Sequence, residues 1–579
     1  MPATVSLSDR SKADDWQPLR LRAPAGHGET LAVPPLDAAG ELLAVNRARV
    51  ATCENVLIGS RPLSTLRQAA RADLIAAARR YVARWTTSDG IDDAVDPAAI
   101  PLVLGGHQPV FFHPGVWAKN FAAARVARQS GGIAVNLIVD NDSRSSVAVG
   151  VPQGGGLATT RGSLEFDARD ASRPWEEVTV GDPALFASFG DRVRETLRPY
   201  SIEPLISRLW PRVLEKVAAG ESPVTALTAA RNLLEREWGL RNLELPVSHL
   251  ARLDGFHWFV ADLLARLPDV HRLYNDTVHR YRQVNRVRNA QHPVPDLRQR
   301  GDVFEAPFWI WKRGESKRGR LLAERTAQGI ALSDGERPVA VLPIPANGDL
   351  CCAVRELNAL ESRGWVLRPR ALSLTLFARV FLADLFVHGI GGAKYDEMTD
   401  RLIRGLYGIE PPGILVVTTT VHLPLGDYPT TRADLSRVRR QLREIDYHPE
   451  QHLNAAGLRE ANMLIDEKRR LAAEQRASEP WRRESDRDSI ERRTTNRSDR
   501  KERGRQRFRR LAEINSELAR PLSGQRRELE QELQRIESEL RANQVLRSRE
   551  YAFALFPEWL LRPILRHVAG LDGDPGDGA

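Results

Sequence analysis

Two histidines and a glutamine lie in the loop Gly106-His-Gln-Pro-Val-Phe-Phe-His113. Imidazoles change charge near neutral pH, so His107 and His113 could transfer protons or bind an anion. Pro114 favours the first turn of a helix, so this loop should end at a helix N-terminus, whose free N–H groups attract phosphate or carboxylate. The loop is therefore a candidate anion site, although a strand–loop–helix turn with two histidines can also be purely structural.

A second polar segment is Asp140-Asn-Asp-Ser143. Asp140 and Asp142 could hold an amine or a magnesium ion. Asp and Asn after a strand are also ordinary turn residues, which is the structural alternative. Ligands of open parallel sheets collect outside the carboxyl ends of the strands, so we expect this segment and the histidine loop to lie close together.

The third segment is Gly389-Ile-Gly-Gly-Ala-Lys-Tyr-Asp396. Its glycines would let a ligand approach the backbone, and Lys394 could pair with phosphate or carboxylate. The segment lacks the Gly-Lys-Ser/Thr ending of a Walker motif, and a close helix–strand packing turn is the alternative. The chain also lacks Gly-x-Ser-x-Gly, His-Glu-x-x-His and Cys-x-x-Cys, which argues against the hydrolases that use those motifs.

The elements that must position these segments are readable from hydrophobic runs. Residues 101–105 and 133–139 are short, apolar and bounded by turn residues, which predicts two buried strands. Between them, a helix from Pro114 would present Trp117 and Phe121, and the strand–helix–strand order implies a right-handed parallel crossover. The pattern resumes near residue 339, with a buried helix over 372–387, a helix over 394–407 and a strand over 414–421. The fold class predicted is α/β with a parallel sheet.

We divide the chain by composition and pattern into six parts. They are an N-terminal helical and mixed segment (1–100), the first half of the core (101–150), an inserted connective region (151–335), the second half of the core (336–430), a coiled-coil arm (431–550), and a C-terminal segment with a disordered tail (551–579).

The arm is predicted because Gly and Pro become scarce after residue 431 while Arg, Glu and Leu dominate. A coiled-coil-like spacing is kept by Leu522, Leu529, Leu533, Ile536 and Leu540. The run Leu458–Leu471 could be an antiparallel mate, separated by the polar stretch Ser478–Arg505. Such heptads usually pack on a partner helix, so we expect a bracing arm or a homodimer.

The charge and the cysteine content limit the kinds of partner and the compartment that we expect for the chain. The 579 residues carry a net charge of +9, but acids are interspersed among the bases, so nucleic-acid binding is not expected. Three cysteines, two of them adjacent, fit a reducing cytoplasm. The most apolar stretch, 372–387, is interrupted by Arg379 and Asp384 and is shorter than the roughly 20 residues that a bilayer requires, so no membrane span is expected.

Three short segments resemble the family of bacillithiol biosynthesis cysteine-adding enzymes (BshC). Gly106-His-Gln-Pro-Val-Phe, followed by Pro114-Gly-Val-Trp-Ala-Lys119, is similar to the family's Gly-Gln-Gln-Pro-Gly-Leu, Gly-Pro-Leu-Tyr and lysine-bearing helix. Val139-Asp-Asn-Asp142 falls where the family has Glu-Asp-His-Asp. Gly391-Gly-Ala-Lys-Tyr395 resembles its Gly-Pro-x-Glu-x-x-Tyr segment. His107 stands in place of a Gln, and Val110 in place of a Gly.

The resemblance implies a Rossmann-like parallel-sheet core with inserted connective segments and a long α-helical coiled-coil arm. It also implies a carbon–nitrogen ligase that forms an amide between the carboxyl group of cysteine and an amino sugar attached to malate. Such a reaction needs an activated carboxyl group, so ATP with magnesium is the cofactor set that we expect.

The resemblance also assigns site residues. The catalytic residues would be His107, His113, Asp140 and Asp142. The histidines and Gln108 would orient or neutralise phosphate, the aspartates would hold the amine or magnesium, and Lys394 and Tyr395 would complete the far wall. The other binding residues expected are Gly106, Pro109, Gly115, Trp117, Lys119, Asn120, Asn141, Arg368, Gly391 and Gly392.

Two alternatives remain open at this point. A nucleotidylyltransferase-like enzyme on the same core would release pyrophosphate without forming an amide. A noncatalytic scaffold or a nucleic-acid-binding protein would use the basic arm, and binding through that arm should depend steeply on salt.

Overall fold

A computed structural model of the chain describes residues 16–572 apart from positions 17, 54, 88–95, 97, 98, 145, 170–172, 346 and 478–492. The chain divides into two compact units. The main unit consists of residues 1–153, 161–424 and 549–579, and the helical unit consists of residues 154–160 and 425–548. The arm predicted over 431–550 falls almost entirely in the helical unit.

The described residues form strands that build two larger sheets and two hairpins. In chain order they are β1 (Thr30–Val33), β2 (Leu57–Ile58), β3 (Arg61–Pro62), β4 (Leu102–His107), β5 (Ile133–Ile138), β6 (Ala148–Gln153), β7 (Thr160–Glu165), β8 (Leu243–Pro246), β9 (Gln299–Arg300), β10 (Val303–Lys312), β11 (Gly319–Thr326), β12 (Gly329–Ser333), β13 (Pro338–Leu342), β14 (Trp365–Pro369), β15 (Leu385–His388) and β16 (Ile414–Thr419).

The first sheet has the strand order β1-β16-β15-β4-β5-β8, with β1 antiparallel at the edge and the other strands parallel. This arrangement confirms the predicted α/β class and the predicted parallel pairing of β4 with β5 across a helix. The prediction of one buried helix over 372–387 is wrong at its end, because β15 is a fully buried strand of this sheet. A strand completely covered on both faces is apolar throughout, so its sequence resembles that of a buried helix.

The second sheet is antiparallel, in the order β13-β12-β11-β10-β14, with β9 paired to β10. It corrects two assignments made from sequence. Residues 338–342 belong here and not to the second half of the parallel core. The region 151–335 is also more than an insertion, because its strand β8 completes one edge of the first sheet.

The helices of the described residues are α1 (Ala39–Ala51), α2 (Leu63–Val82), α3 (Pro114–Gln129), α4 (Pro183–Ala187), α5 (Phe189–Leu197), α6 (Ile206–Ala218), α7 (Pro223–Glu237), α8 (Val247–Leu250), α9 (Asp254–Ala265), α10 (Leu267–Val284), α11 (Cys351–Asn358), α12 (Ala371–Phe377), α13 (Ile390–Tyr407), α14 (Arg432–Tyr447), α15 (Ala455–Glu460), α16 (Asn462–Ala477), α17 (Arg493–Ala519), α18 (Ser523–Leu546) and α19 (Glu558–Val568). A π-helical turn over Ala378–Leu382 follows α12. Within the part of the chain that the structure describes, no helix combines the length and the apolar character needed to cross a bilayer.

The helical unit packs differently from the pairing predicted for it. Its α18 packs on α14, and α16 packs on α17, which also contacts α14. The pairing of 458–471 with 522–540 was therefore wrong. Residues 493–505, which were expected to separate two mates, lie inside α17; positions 478–492 of that stretch are outside the described residues. The core of this unit consists of Ile445, Leu453, Ile465, Ile514, Leu518 and Leu522.

Candidate functional site

A cleft of about 720 Å³ in the main unit is lined by all three segments that the sequence singled out. The histidine loop and the start of α3 contribute Gly106, His107, Gln108, His113, Gly115 and Lys119, the turn after β5 contributes Asn141 and Asp142, and the start of α13 contributes Gly389, Gly391, Gly392 and Tyr395.

The segments meet because their strands are neighbours that run in the same direction. In the parallel register, Gly105 of β4 lies between Val387 of β15 and Asn136 of β5. The next residues of all three strands therefore leave the sheet at one edge, where the ligands of open α/β sheets bind. Gly106 permits the close approach of β5, since a Cβ at this position would lie 2.8 Å from the Leu137 carbonyl oxygen.

Lys119 is the most unusual group in the cleft. Only 6% of it is exposed, and its ammonium group donates a hydrogen bond to the Gly106 carbonyl oxygen at 2.7 Å. No carboxylate of the described residues forms an ion pair with it. Burial therefore lowers the pKa of Lys119 to about 8. A buried amine that titrates near neutral pH, in a cleft, is typical of a functional group.

The two histidines of the loop are less cationic than the sequence suggested. Burial, together with the nearby Lys119 ammonium, lowers the pKa of His107 to about 3, so this imidazole is neutral at pH 7. Burial also lowers the pKa of His113, against the attraction of Glu550, whose Oε2 lies 3.8 Å from Nε2. His107 and His113 can donate or accept hydrogen bonds in the cleft, so a neutral His107 fits the predicted role of orienting a phosphate group better than that of neutralising its charge.

The two aspartates of the turn after β5 have different surroundings, because only Asp142 lines the cleft. Asp140 is buried, accepts hydrogen bonds from the backbone N–H and the hydroxyl of Ser248, and does not line the cleft. Burial and the nearby Glu176 carboxylate raise its pKa to about 7. Asp142 lines the cleft, where it accepts from Gln108 at 3.3 Å and forms a 3.1 Å ion pair with Arg318. The assignment of Asp140 to amine or metal binding is therefore wrong.

Five other predicted residues do not line the cleft. Pro109 and Asn120 line a small adjoining pocket behind His107. Trp117 is buried and donates to Glu235 at 2.5 Å, as Asn120 does at 2.8 Å. Arg368 is buried in ion pairs with Glu176 and Glu361. Lys394 is not among the described residues that line the cleft. Sequence alone does not distinguish a supporting role from a ligand contact for such residues.

A buried histidine–aspartate pair was missed from sequence. His388, at the end of β15, lines the cleft, and its Nε2 lies 3.1 Å from Asp396 Oδ2. Arg379 donates to the same carboxylate oxygen at 2.6 Å. Burial acts to raise the pKa of Asp396, but Arg379 and His388 outweigh it and hold the pKa below its usual value. Asp396 thus stays ionised and orients the imidazole, as the third group of a catalytic triad does. The eight-residue spacing of His388 and Asp396 on strand and helix is the only signal that sequence offers.

Three arginines of the cleft were also missed. Arg318 and Arg370 lie over the indole of Trp309, at 4.5 Å and 4.3 Å from the ring centre to the guanidinium carbon. Arg549 donates to the Thr418 hydroxyl at 2.7 Å and to the Thr419 carbonyl oxygen at 3.1 Å. These residues come from distant parts of the chain, so only the tertiary fold brings them together.

The N-terminus of α13 also faces the cleft. Gly389 is its N-cap and supplies no side-chain hydrogen bond to the first turn. A Cβ on Gly391 would meet no atom within 4 Å, whereas one on Gly392 would lie 2.6 Å from His388 Nδ1. An eighteen-residue helix with an uncapped N-terminus at a cleft favours negative charge.

The charges of the cleft leave a positive excess. Among the carboxylates that line it, Asp142 pairs with Arg318, Asp396 pairs with Arg379, and Glu550 lies 3.7 Å from Arg549. The ammonium of Lys119 is not matched by any of these pairs. The site therefore suits an anionic small molecule.

A resident magnesium ion does not fit the residues present. No three His, Cys, Asp or Glu side chains of the described residues are grouped so that they could hold a metal. Asp140 is bonded to Ser248 and Asp142 to Arg318, so the two aspartates do not form the magnesium site expected from sequence.

A scan against models of known protein families finds no match to the chain, and a search of curated proteins finds no similar sequence.

Proposed function

We propose that the chain is an enzyme that joins a carboxyl group to the amine of a second small molecule, a carbon–nitrogen ligase of the kind implied by the resemblance to cysteine-adding enzymes. The observation that carries the proposal is the cleft itself. It combines a buried, unpaired Lys119 of lowered pKa with the His388–Asp396 pair and three arginines. Such a set can hold an anion and move a proton, the two tasks of amide formation.

In the proposed reaction the carboxyl group is first activated as a phosphate or adenylate by a nucleotide triphosphate. The amine then attacks the carboxyl carbon, the carbon–nitrogen bond forms, and the carbon–oxygen bond to the phosphate or adenylate breaks. Lys119 stabilises the negative charge on the carboxyl oxygen. His388, oriented by Asp396, accepts the proton that the amine loses.

The finer fold and partner predictions belong to the same proposal. The parallel sheet with a ligand cleft at its carboxyl edge is what a Rossmann-like core would provide. The helical unit would act as a coiled-coil arm that joins two copies of the chain. Three free cysteines fit a cytoplasmic protein.

A nucleotidylyltransferase-like activity is the second candidate. The uncapped N-terminus of α13 favours it, because such a terminus can bind the phosphates of a nucleotide. Under this alternative the nucleotide is a substrate that releases pyrophosphate, and no amide forms.

The two activities are separated by one assay of the full chain. The protein is incubated with ATP, magnesium, cysteine and an amino sugar attached to malate, and the products are followed by mass spectrometry and by pyrophosphate release. The proposal requires a product with the mass of the amide. If pyrophosphate is released but no amide forms, the second candidate is selected. If neither amide nor pyrophosphate is detected, both candidates are rejected.

A further inference from the structure

The main unit contains another cavity, of about 200 Å³, that the proposed reaction does not use. Leu367 and Arg368 of β14 line it, whereas the next two residues of the chain, Pro369 and Arg370, line the cleft. No described residue lines both cavities. They are therefore neighbouring but separate sites, and we call the one lined by Leu367 and Arg368 the β14 pocket.

Arg252 brings an accessible positive charge to the β14 pocket. Its partly exposed side chain donates through Nε to Glu361 Oε2 at 2.8 Å, and its Nη1 and Nη2 donate to no described residue. Glu361 also accepts from Arg368 at 2.9 Å, and Arg368 donates to Glu176 through Nε and Nη2. Two arginines against one glutamate leave the lining with one positive charge in excess. The free end of Arg252 can therefore bind an anion through two hydrogen bonds.

His257 offers a hydrogen-bond acceptor to the same pocket. Asn358 donates from its amide nitrogen to Asp254 at 2.8 Å, so the amide oxygen of Asn358 is the atom that contacts His257 Nδ1. Nδ1 therefore carries the proton, and burial lowers the pKa of the ring, which is neutral at pH 7. Nε2 keeps a lone pair and has no partner among the described residues. Unlike Nδ1 of His113 it is not sealed from solvent, so a ligand hydroxyl group can reach it.

The rest of the lining is apolar and limits the size of the ligand. Ala251, Leu357, Leu360 and Leu367 contribute hydrocarbon surface. Hydrocarbon that moves from water onto such a wall is stabilised. A cavity of roughly 150 Å³ holds a benzene ring. The β14 pocket, at about 200 Å³, therefore has room for one ring and a few further atoms.

We propose that the β14 pocket binds a small organic carboxylate that also carries a hydroxyl group. The carboxylate lies on the free end of Arg252, the hydroxyl group donates to His257 Nε2, and the hydrocarbon part lies on the leucines. Inorganic phosphate would leave the leucines uncovered. The inference does not depend on the proposed ligase, because no residue of the cleft takes part in it.

Mandelate is the probe, because it combines a carboxylate, a hydroxyl group and a phenyl ring. Phenylacetate lacks only the hydroxyl group, so it should bind the full chain about fivefold more weakly, which corresponds to the loss of one hydrogen bond. Benzyl alcohol lacks only the carboxylate and should bind about tenfold more weakly than mandelate. Saturation-transfer NMR titrations at pH 7 and constant ionic strength measure the three affinities.

Arg252 and Arg313 offer a matched pair of substitutions. Both donate to Glu361 Oε2, and their side chains are 43% and 46% exposed, but only Arg252 lines the β14 pocket. Arg252→Gln should weaken mandelate binding about tenfold. Arg313→Gln should leave it within about twofold of the parent. His257→Phe should lower the affinity for mandelate to that for phenylacetate and leave phenylacetate unchanged.

The comparison of mandelate with phenylacetate uses the parent chain, so it decides the matter even if a variant does not fold. The proposal is wrong if mandelate does not bind, if phenylacetate binds equally well, or if Arg252→Gln and Arg313→Gln bind mandelate alike. Loss of mandelate binding in Lys119→Met would place the ligand in the cleft and would also overturn it. None of these measurements depends on turnover, so the absence of amide formation would reject the ligase without affecting the β14 pocket.

Discussion

His388 Nε2 lies 3.1 Å from Asp396 Oδ2, at the point where β15 gives way to α13. The carboxylate is held in turn by Arg379, which also forms a 2.7 Å ion pair with Asp400. The imidazole therefore has a fixed orientation at the edge of the cleft, and its position depends on a buried charge network. Substitutions in that network should therefore change the stability of the protein.

Asp396→Asn should destabilise the protein by about 3 kcal/mol, because it leaves the buried Arg379 without its main counter-charge. Asp400→Asn is the matched control; its side chain is 40% exposed, so the loss should stay below about 1 kcal/mol. The pKa of Asp396 is lowered in the folded state, so its contribution is present above the unfolded pKa and is lost as pH falls through the folded one. Urea denaturation at pH 7 and pH 3 measures both effects. Equal losses for the two variants would contradict this account.

Lys119→Met should raise stability at pH 7. Burial lowers the pKa of Lys119 from 10.5 to about 8, so the unfolded chain binds more protons between those values and the stability of the parent rises with pH across that window. Below pH 8, keeping Lys119 protonated in the folded state costs about 3 kcal/mol of stability. The variant avoids this cost but loses the hydrogen bond to Gly106, so its free energy of unfolding should rise by about 2 kcal/mol. Urea denaturation should show this gain at pH 7 and none near pH 10.5. A destabilised variant at pH 7 would show that Lys119 is structural.

Two adjacent glycines should respond in opposite ways to the same change. Gly391→Ala meets no atom within 4 Å, so thermal stability should be unchanged, while ligands of the cleft should bind more weakly because the methyl group projects beside the N-terminus of α13. Gly392→Ala would push against His388 Nδ1 and should cost about 1–2 kcal/mol. Thermal unfolding and the binding of ATP by calorimetry measure the pair. Unchanged ATP binding in Gly391→Ala would place the nucleotide elsewhere.

The proposed dimer should depend on exposed apolar side chains of the helical unit. Phe508 on α17 is 71% exposed and Met463 on α16 is 85% exposed, so both offer apolar surface that a second copy of the chain could cover. Phe508→Ser should convert a two-chain particle to a single chain in light scattering. Leu57→Ser in the main unit, where the leucine is 58% exposed, is the control and should leave the mass unchanged. A parent chain that is already monomeric would remove the dimer from the proposal.

The sequence predicted the first α/β unit well because its signals are local. Apolar runs over 101–105 and 133–139, Pro114 at the helix start and the glycines after the helix each act within a few residues. The proximity of the histidine loop and the aspartate turn also followed from the predicted parallel crossover, whereas strand order did not predict the position of the third segment. Strand β15 was missed because complete burial removes the alternation by which strands are recognised.

The chemistry of the cleft was harder to predict, since it depends on burial and on partners far away in sequence. Lys119 is a ligand candidate in sequence, but its lowered pKa requires the buried position on α3. Asp140 and Asp142 look equivalent in sequence, yet Asp140 accepts a hydrogen bond from Ser248 and Asp142 forms an ion pair with Arg318. Arg370 contacts Glu305 and Trp309 of the second sheet, and only the folded chain brings these three residues together.

The most direct test of the central claim is amide formation by two matched lysine variants. Lys119→Met removes the buried amine of the cleft, whereas Lys394→Met makes the same change on α13 outside the cleft-lining residues. With ATP, magnesium, cysteine and the malate-linked amino sugar, mass spectrometry should detect amide from the parent and from Lys394→Met. Lys119→Met should form it at least about a hundredfold more slowly. Equal rates for the two variants, or no amide from the parent, would contradict the account.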